Sequence, residues 1–345
     1  MPSLRTEITE IVTGLAIFGY PNLEHALSVE PPAFRNVPRQ TYEDLRAEYA
    51  TGTHGALFVR AWENGRRFAR SDEGLRGRTP WMIEWKGPHR PPGYDRIPAD
   101  LRVDHVYLLS CKFGSNILMN SSPANLFDRL LADRQDEPTD WFEEVAPESY
   151  QALFEACREL VDEPMPDHVS DLQQEHRDVL KRALPRRFQG EAQRLYLEFV
   201  SDVAQRSAAR WREGLVSRSV AEAAVWRLLR LESAPYFVLG ESAEGHPIAH
   251  RVVTPGDLRR THRFRSLEVS AAAGRGQPIV EWQARFTEQS SGREVSVRGH
   301  VEVRWSHGKF AQVPEAKVYL NSPHRLVPGY VPLDEPDDPS SARLF

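Results

Sequence analysis

Nine consecutive residues, Asp104-His-Val-Tyr-Leu-Leu-Ser-Cys-Lys112, set an acid at the entrance of an apolar run and a lysine at its exit. If the run is one regular strand, alternate side chains share a face, and Asp104, Ser110 and Lys112 line up on it. Carboxylate, hydroxyl and ammonium groups on one surface are what a site needs to hold a hard divalent cation and polarise a water for attack on a phosphodiester. The run leads into Phe113-Gly-Ser-Asn116 and then Asn120-Ser-Ser-Pro123, a polar turn suited to facing a phosphate backbone.

Two other groupings carry the same residue types. Glu84-Trp85-Lys86 is a Glu-x-Lys on an aromatic-rich segment closed by Gly87. Glu302, with Glu315-x-Lys317 beyond a turn at His307-Gly308, forms another; its neighbours Arg304, Trp305 and Lys309 suit the positioning of DNA better than its cleavage. Competing chemistries lack their motifs. The chain contains no Gly-x-Gly-x-x-Gly after a strand, no phosphate-binding Gly-x₄-Gly-Lys-Ser/Thr, no Gly-x-Ser-x-Gly and no His-Glu-x-x-His. Its two cysteines, Cys111 and Cys157, are too few for a disulfide framework or a cysteine-rich zinc site, and strand alternation turns Cys111 away from Ser110 and Lys112.

The Ser110-Cys111-Lys112 tripeptide, with an acid upstream and Glu-x-Lys on a neighbouring strand, resembles the PD-(D/E)XK superfamily of restriction-endonuclease-like nucleases. The resemblance covers Thr41 to Leu131, about a quarter of the chain. It implies an α+β protein whose restriction-endonuclease-like α/β core is a mixed sheet flanked by helices. It further implies Asp104 and Glu84 as ligands of Mg²⁺ or Mn²⁺, Lys112 as the group that orients water, and Ser110 as a hydrogen-bonding partner of a metal-bound water or phosphate. Lys86 would contact phosphate, and Glu48 or Glu43 would be the helix acid. Serine stands where the family usually carries an acid, and the family usually separates its Asp from the x-Lys tripeptide by a hairpin. Whether Glu84-x-Lys86 or Ser110-x-Lys112 is the active tripeptide is therefore open. The implied substrate is double-stranded DNA, contacted by Ser115, Asn116, Asn120, Arg304 and Lys309, in restriction or phage defence. Such enzymes often cut two strands as dimers, so a homodimer is the assembly to look for. The alternative is a non-catalytic DNA-binding or partner-binding subunit with a degenerate nuclease core.

These residues need a scaffold, and the hydrophobic periodicity supplies one. A helix is expected over Thr6–Phe18, and another from Thr41 to about Gly52. Ala56–Trp62 looks β-like with a hairpin turn at Glu63-Asn-Gly65, and Pro80–Lys86 reads as a further strand. Helical spacing marks Trp141–Val161, Leu172–Leu184, Glu191–Glu213 and Ser219–Leu231. Strands are expected at Tyr236–Leu239, His250–Val253, Ile279–Phe286, Glu294–Trp305 and Lys317–Leu320. The expected organisation is a nuclease-like core over 1–138, a helical segment over 139–232, a β-rich part over 233–332 and a disordered acidic tail over 333–345.

A net charge of -5 argues against a chain that coats nucleic acid along its whole surface, but charge is segregated. Residues 57–120 hold eleven Lys/Arg against seven Asp/Glu, and residues 177–218 hold ten against five. No apolar run reaches the ~20 residues of a membrane span. The first twenty residues carry Glu7 and Glu10 ahead of their apolar stretch instead of a basic leader. A cytoplasmic protein with no membrane association is the expectation.

Overall fold

A computed structural model of the chain describes residues 3–87, 97–132, 139–272, 274 and 276–333. The protein is a mixed α+β structure with two sheets. In chain order the described strands are β1 (Phe34–Arg35), β2 (Ile83–Trp85), β3 (Leu101–Val103), β4 (Tyr107–Lys112), β5 (Ile117–Ser121), β6 (Tyr236–Glu241), β7 (Pro247–Val252), β8 (His262–Ala271), β9 (Ile279–Glu288), β10 (Glu294–Arg304), β11 (Glu315–Leu320) and β12 (Tyr330–Pro332). Among the described residues no helix is long and apolar enough to cross a membrane.

The chain forms two compact units that interleave along the sequence, where consecutive blocks were expected. One comprises Met1–Asn116, Leu231–Arg260 and His324–Phe345; the other comprises Ile117–Arg230 and Thr261–Pro323. The tail expected to be disordered lies, apart from Leu333, outside the described residues. Leu333 itself is buried in the core of the first unit.

In the first unit the sheet order is β1-β2-β3-β4-β6-β7-β12. The β1–β2 and β4–β6 pairs are parallel and the others antiparallel, so the sheet is mixed. Ile83, Trp85, Leu101, Val103, Leu109, Phe237 and Leu239 point to one side and close a core with the N-terminal helices. The first of these helices is built in three pieces, Leu4–Glu7, a π-helical Ile8–Val12 and Thr13–Ile17. Ile8, Ile11, Val12 and Leu15 form its buried stripe at helical spacing.

Gly55–Arg70 is a helix, which corrects the β-hairpin expected at 56–65. Leu57, Phe58, Ala61, Gly65 and Phe68 recur every three or four residues and are all buried, and this period outweighs the strand-like composition. Asn64-Gly65 is a packing site and not a turn. A Cβ on Gly65 would lie 2.2 Å from the Thr13 carbonyl oxygen and 2.7 Å from the Ala16 Cβ. The Thr13 hydroxyl completes the crossing by donating to the Ala61 carbonyl at 3.1 Å. The helix expected from Thr41 is present as Arg39–Thr51 and stops at Gly52, whose φ of 71° lies in the left-handed region.

The opening run is not one strand. Asp104 and His105 have φ of 50° and 61°, and the Val106 amide donates to the Val103 carbonyl at 3.0 Å. Two consecutive left-handed residues make the tight turn that joins β3 to β4 as a hairpin. The strand starts at Tyr107, and Asp104 sits at the turn.

The second unit is an antiparallel sheet, β5-β11-β10-β9-β8, with the helical segment packed on it. Its longest helix is Gly190–Gly214, and the Trp141 indole is fixed to it by donating to the Ser207 hydroxyl at 2.9 Å.

The Gly65 contact yields a direct test. Gly65→Ala should destabilise the fold by about 1–3 kcal/mol through overpacking, against the small gain that alanine gives in an open helix. A melting temperature equal to or above the parent's would mean that these two helices are not in backbone contact.

Candidate active site at the mouth of the β3–β4 hairpin

The open end of the hairpin gathers the ionisable groups. Asp100 immediately precedes β3, and its amide donates to the Leu109 carbonyl at 2.7 Å, which fixes it opposite the end of β4. Its carboxylate accepts from the Cys111 amide at 2.7 Å and from the Ser110 hydroxyl. The Asp100 carbonyl accepts from the Lys86 amide at 2.9 Å, so the end of β2 arrives at the same place. Lys112 and Lys86 both act electrostatically on the Asp100 carboxylate. Gly240 on β6 allows this packing, since a Cβ there would lie 1.9 Å from the Lys112 carbonyl oxygen.

A second carboxylate comes from the first helix. Glu10 lies in the π-helical segment, a distortion that often re-aims side chains at functional sites. It accepts from the Trp85 indole N–H at 2.5 Å. Burial, then the nearby Asp100 carboxylate, push Glu10 up to about 8, with the Trp85 hydrogen bond opposing. Burial likewise raises Asp100, against the Cys111 amide, the two lysines and Ser110. A carboxylate that another raises in this way can keep a proton or share a cation with it. Among the described residues no group of three or more His, Cys, Asp or Glu side chains is arranged to hold a metal ion. Glu10 and Asp100 are two carboxylates, and a hard cation would take its remaining ligands from backbone carbonyls, Ser110 or water. The donor set is all oxygen and suits Mg²⁺ or Mn²⁺.

Cys111 packs against the core of the first unit. Burial, then Asp100 and Glu10, drive its thiol well above its usual range, and it hydrogen-bonds Thr13. A neutral thiol packed against the core fits the alternation expected for it.

Of the residues singled out in the sequence, Ser110, Lys112 and Lys86 converge on Asp100. Asp104 does not. From Tyr107 to Lys112 a strand spans roughly 17 Å at ~3.3 Å per residue, far beyond the ~2 Å reach of a metal bond. Asp104 instead accepts from the Trp81 and Met82 amides at 2.7 and 3.0 Å and pairs with Arg78 at 2.6 Å. Burial raises its pKa, but the Met82 amide, Arg78 and the Trp81 amide together hold it below the ordinary aspartate range. Glu84 pairs with Arg102 across the β2–β3 ladder and lies 3.5 Å from His105. The Arg102 hydrogen bond holds Glu84 low. Glu48 is committed to His54 at 2.5 Å, and Glu43 to Arg39 at 3.3 Å.

The residues expected on DNA are dispersed over both units. Asn116 donates to Glu244 at 2.7 Å and accepts from the Ala243 amide at 3.1 Å, while Ser115 lies beside it in the loop before β5. Asn120 is exposed on β5, opposite Lys317 of β11. Arg304 donates to Glu302 at 3.1 Å. Lys309 donates to the carbonyls of Pro185 and Arg186 at 2.7 and 2.9 Å.

Sequence reasoning missed Glu10 and Asp100. Asp100 carried a signal: it stands ten residues before Ser110 in Pro98-Ala-Asp100, a separation that accommodates a hairpin. Glu10 carried a weaker one, an acid set among Ile8, Ile11 and Val12 on a buried helix.

Between pH 4.5, where free glutamate titrates, and about 8, the folded chain keeps a proton on Glu10 that the unfolded chain has released, so stability falls as pH rises through that window. Glu10→Gln should flatten this decline, by several degrees of melting temperature between about pH 5 and about pH 8.5. Equal slopes for parent and variant would show that Glu10 ionises freely in the folded chain. Comparison of the chain with protein-family models, with curated proteins and with solved structures gives no match.

Proposed function

We propose that this chain is a metal-dependent DNA endonuclease whose hydrolytic centre is formed by Glu10, Asp100, Ser110, Lys112 and Lys86. The observation that carries this reading is the meeting of an Asp from one strand, a Ser-x-Lys from the next and a Glu from the first helix at one hairpin mouth. This supports the restriction-endonuclease-like arrangement, with Asp100 in the role first expected of Asp104, and Glu10 in that of Glu48.

Glu10 and Asp100 would hold Mg²⁺ or Mn²⁺, which when bound supplies a Lewis acid for the scissile phosphate and its attacking water. Lys112 orients the water and offsets charge that develops on the phosphate. Lys86 extends the cationic side of the site toward the backbone of double-stranded DNA. Ser110 fixes Asp100 instead of adding a third carboxylate. That replacement favours the second reading, a DNA-binding subunit that has lost cleavage. Restriction or phage defence in the cytoplasm, by a homodimer cutting both strands, is the setting that the resemblance suggests.

Plasmid cleavage separates the readings. With Mg²⁺ or Mn²⁺ present, Asp100→Asn, Glu10→Gln and Lys112→Ala should each lose roughly 100-fold or more of nicking activity. Asp104→Asn and Glu84→Gln should stay within a few-fold of the parent. Added Mg²⁺ should raise the melting temperature of the parent and not of Asp100→Asn. Cleavage that survives in both Asp100→Asn and Lys112→Ala would overturn the site, and DNA binding with no cleavage in the parent would establish the second reading.

A further inference from the structure

In the second unit, the loop between the helices Gln174–Ala183 and Gly190–Gly214 and the turn after β10 enclose a cavity of about 630 Å³. Its size falls within the ~300–1,000 Å³ of small-molecule sites. Lys181, Arg186, Arg187 and Lys309 line it together with the rings of Phe188, Tyr196 and Trp305, and among the described residues no acidic one does. Cations gathered around one cavity give it a positive potential that attracts an anion.

The roles of these cations differ. Lys309 is structural: it holds the carbonyls of Pro185 and Arg186 and sits 4.3 Å above the Phe188 ring, which fixes the loop. The side chains of Lys181, Arg186 and Arg187 are exposed and have no carboxylate partner among the described residues. The first turns of the Gly190–Gly214 helix supply Gln193 and Tyr196, and the amino end of that helix adds partial positive charge.

The rings are set before any ligand arrives. Tyr196 donates to the Gly276 carbonyl at 3.0 Å. Trp305 stacks on Phe199 with centroids 5.8 Å apart and packs against Phe310 at 5.0 Å. Rigid aromatic surface beside unpaired guanidinium groups is complementary to a base that carries a phosphate.

We propose that this cavity binds a single nucleotide, its base against Trp305 and Tyr196 and its phosphate on Arg186, Arg187 and Lys181. Gln193 and Gln277 also line the cavity, and their side-chain amides would meet the edge of the base. The ligand chemistry is that of a nucleoside 5′-phosphate, and its source is either a free nucleotide or an unpaired nucleotide of a DNA strand. The proposal stands independently of hydrolysis at the hairpin mouth.

The test is calorimetric titration of the full chain, without divalent cation, against deoxynucleoside monophosphates, a short single-stranded oligonucleotide and inorganic phosphate. A monophosphate or the oligonucleotide should bind at least about tenfold more tightly than phosphate, since stacking adds to the ionic contact. The exposed double variant Arg186→Glu/Arg187→Glu, with unchanged circular dichroism and melting temperature, should weaken that binding at least about tenfold. Lys112→Ala should bind like the parent, which separates this site from the hydrolytic one. Binding of the monophosphates identifies a free nucleotide as the source, and binding of the oligonucleotide alone identifies a strand. Phosphate binding as tightly as every nucleotide probe, or full affinity in the Arg186→Glu/Arg187→Glu chain, would overturn the proposal.

Discussion

The half-buried carboxylate of Asp100 is the constraint on which the mouth of the β3–β4 hairpin is organised. An aspartate out of water needs its charge compensated by hydrogen bonds and by opposite charge, or else a proton. Here the Cys111 amide and Ser110 hydroxyl bind it, Lys112 and Lys86 favour its charge, and that charge in turn raises Glu10. These partners come from β4, from the end of β2 and from the first helix, so the carboxylate at the start of β3 brings four elements to one point. The register of the hairpin follows, because the Asp100 amide also bonds across to Leu109. Burial is the larger reason that Glu10 keeps a proton, and the Asp100 carboxylate beside it adds to that.

The acids of the first unit are sorted by what compensates them. Glu84 and Asp104 are held below their ordinary ranges by Arg102 in one case and by Arg78 with backbone amides in the other. Such carboxylates are already satisfied and stabilise the hairpin. Glu10 and Asp100 are raised, and their burial is only partly offset. The opposite shifts follow from the surroundings: arginines and backbone amides lower one pair, and burial raises the other.

Much of this was legible in the sequence. The Gly52 stop, most of the helical spacing across 139–231 and five strands after Pro235 are local signals that appear within a few residues of expectation, but the ten-residue β8 was not anticipated and the helix expected over Trp141–Val161 is broken at Ala146. Ser110 and Lys112 were legible as a pair, since strand alternation suffices to set them on one face, while Lys86 stood out by residue type alone. What failed was anything that depends on a neighbour. Asn64-Gly65 imitates a turn, and only the Thr13 backbone against it explains the glycine. Asp104-His105 reads as part of a strand because nothing local announces two left-handed residues. Glu10 looks like a surface acid until Trp85, seventy-five positions away, bonds it.

The interleaved chain carries a consequence for biosynthesis. β4, which bears Ser110 and Lys112, pairs on one side with β3 and on the other with β6, whose residues begin at Tyr236. While a ribosome makes the intervening residues, β4 is a bare edge in a half-built sheet, open to pairing with other chains. The Ile117–Arg230 stretch is therefore a period of exposure as well as part of a second unit. Excising residues 1–116 as a minimal fragment would leave that edge permanently uncovered, and the Gly240 surface that accommodates Lys112 would be absent.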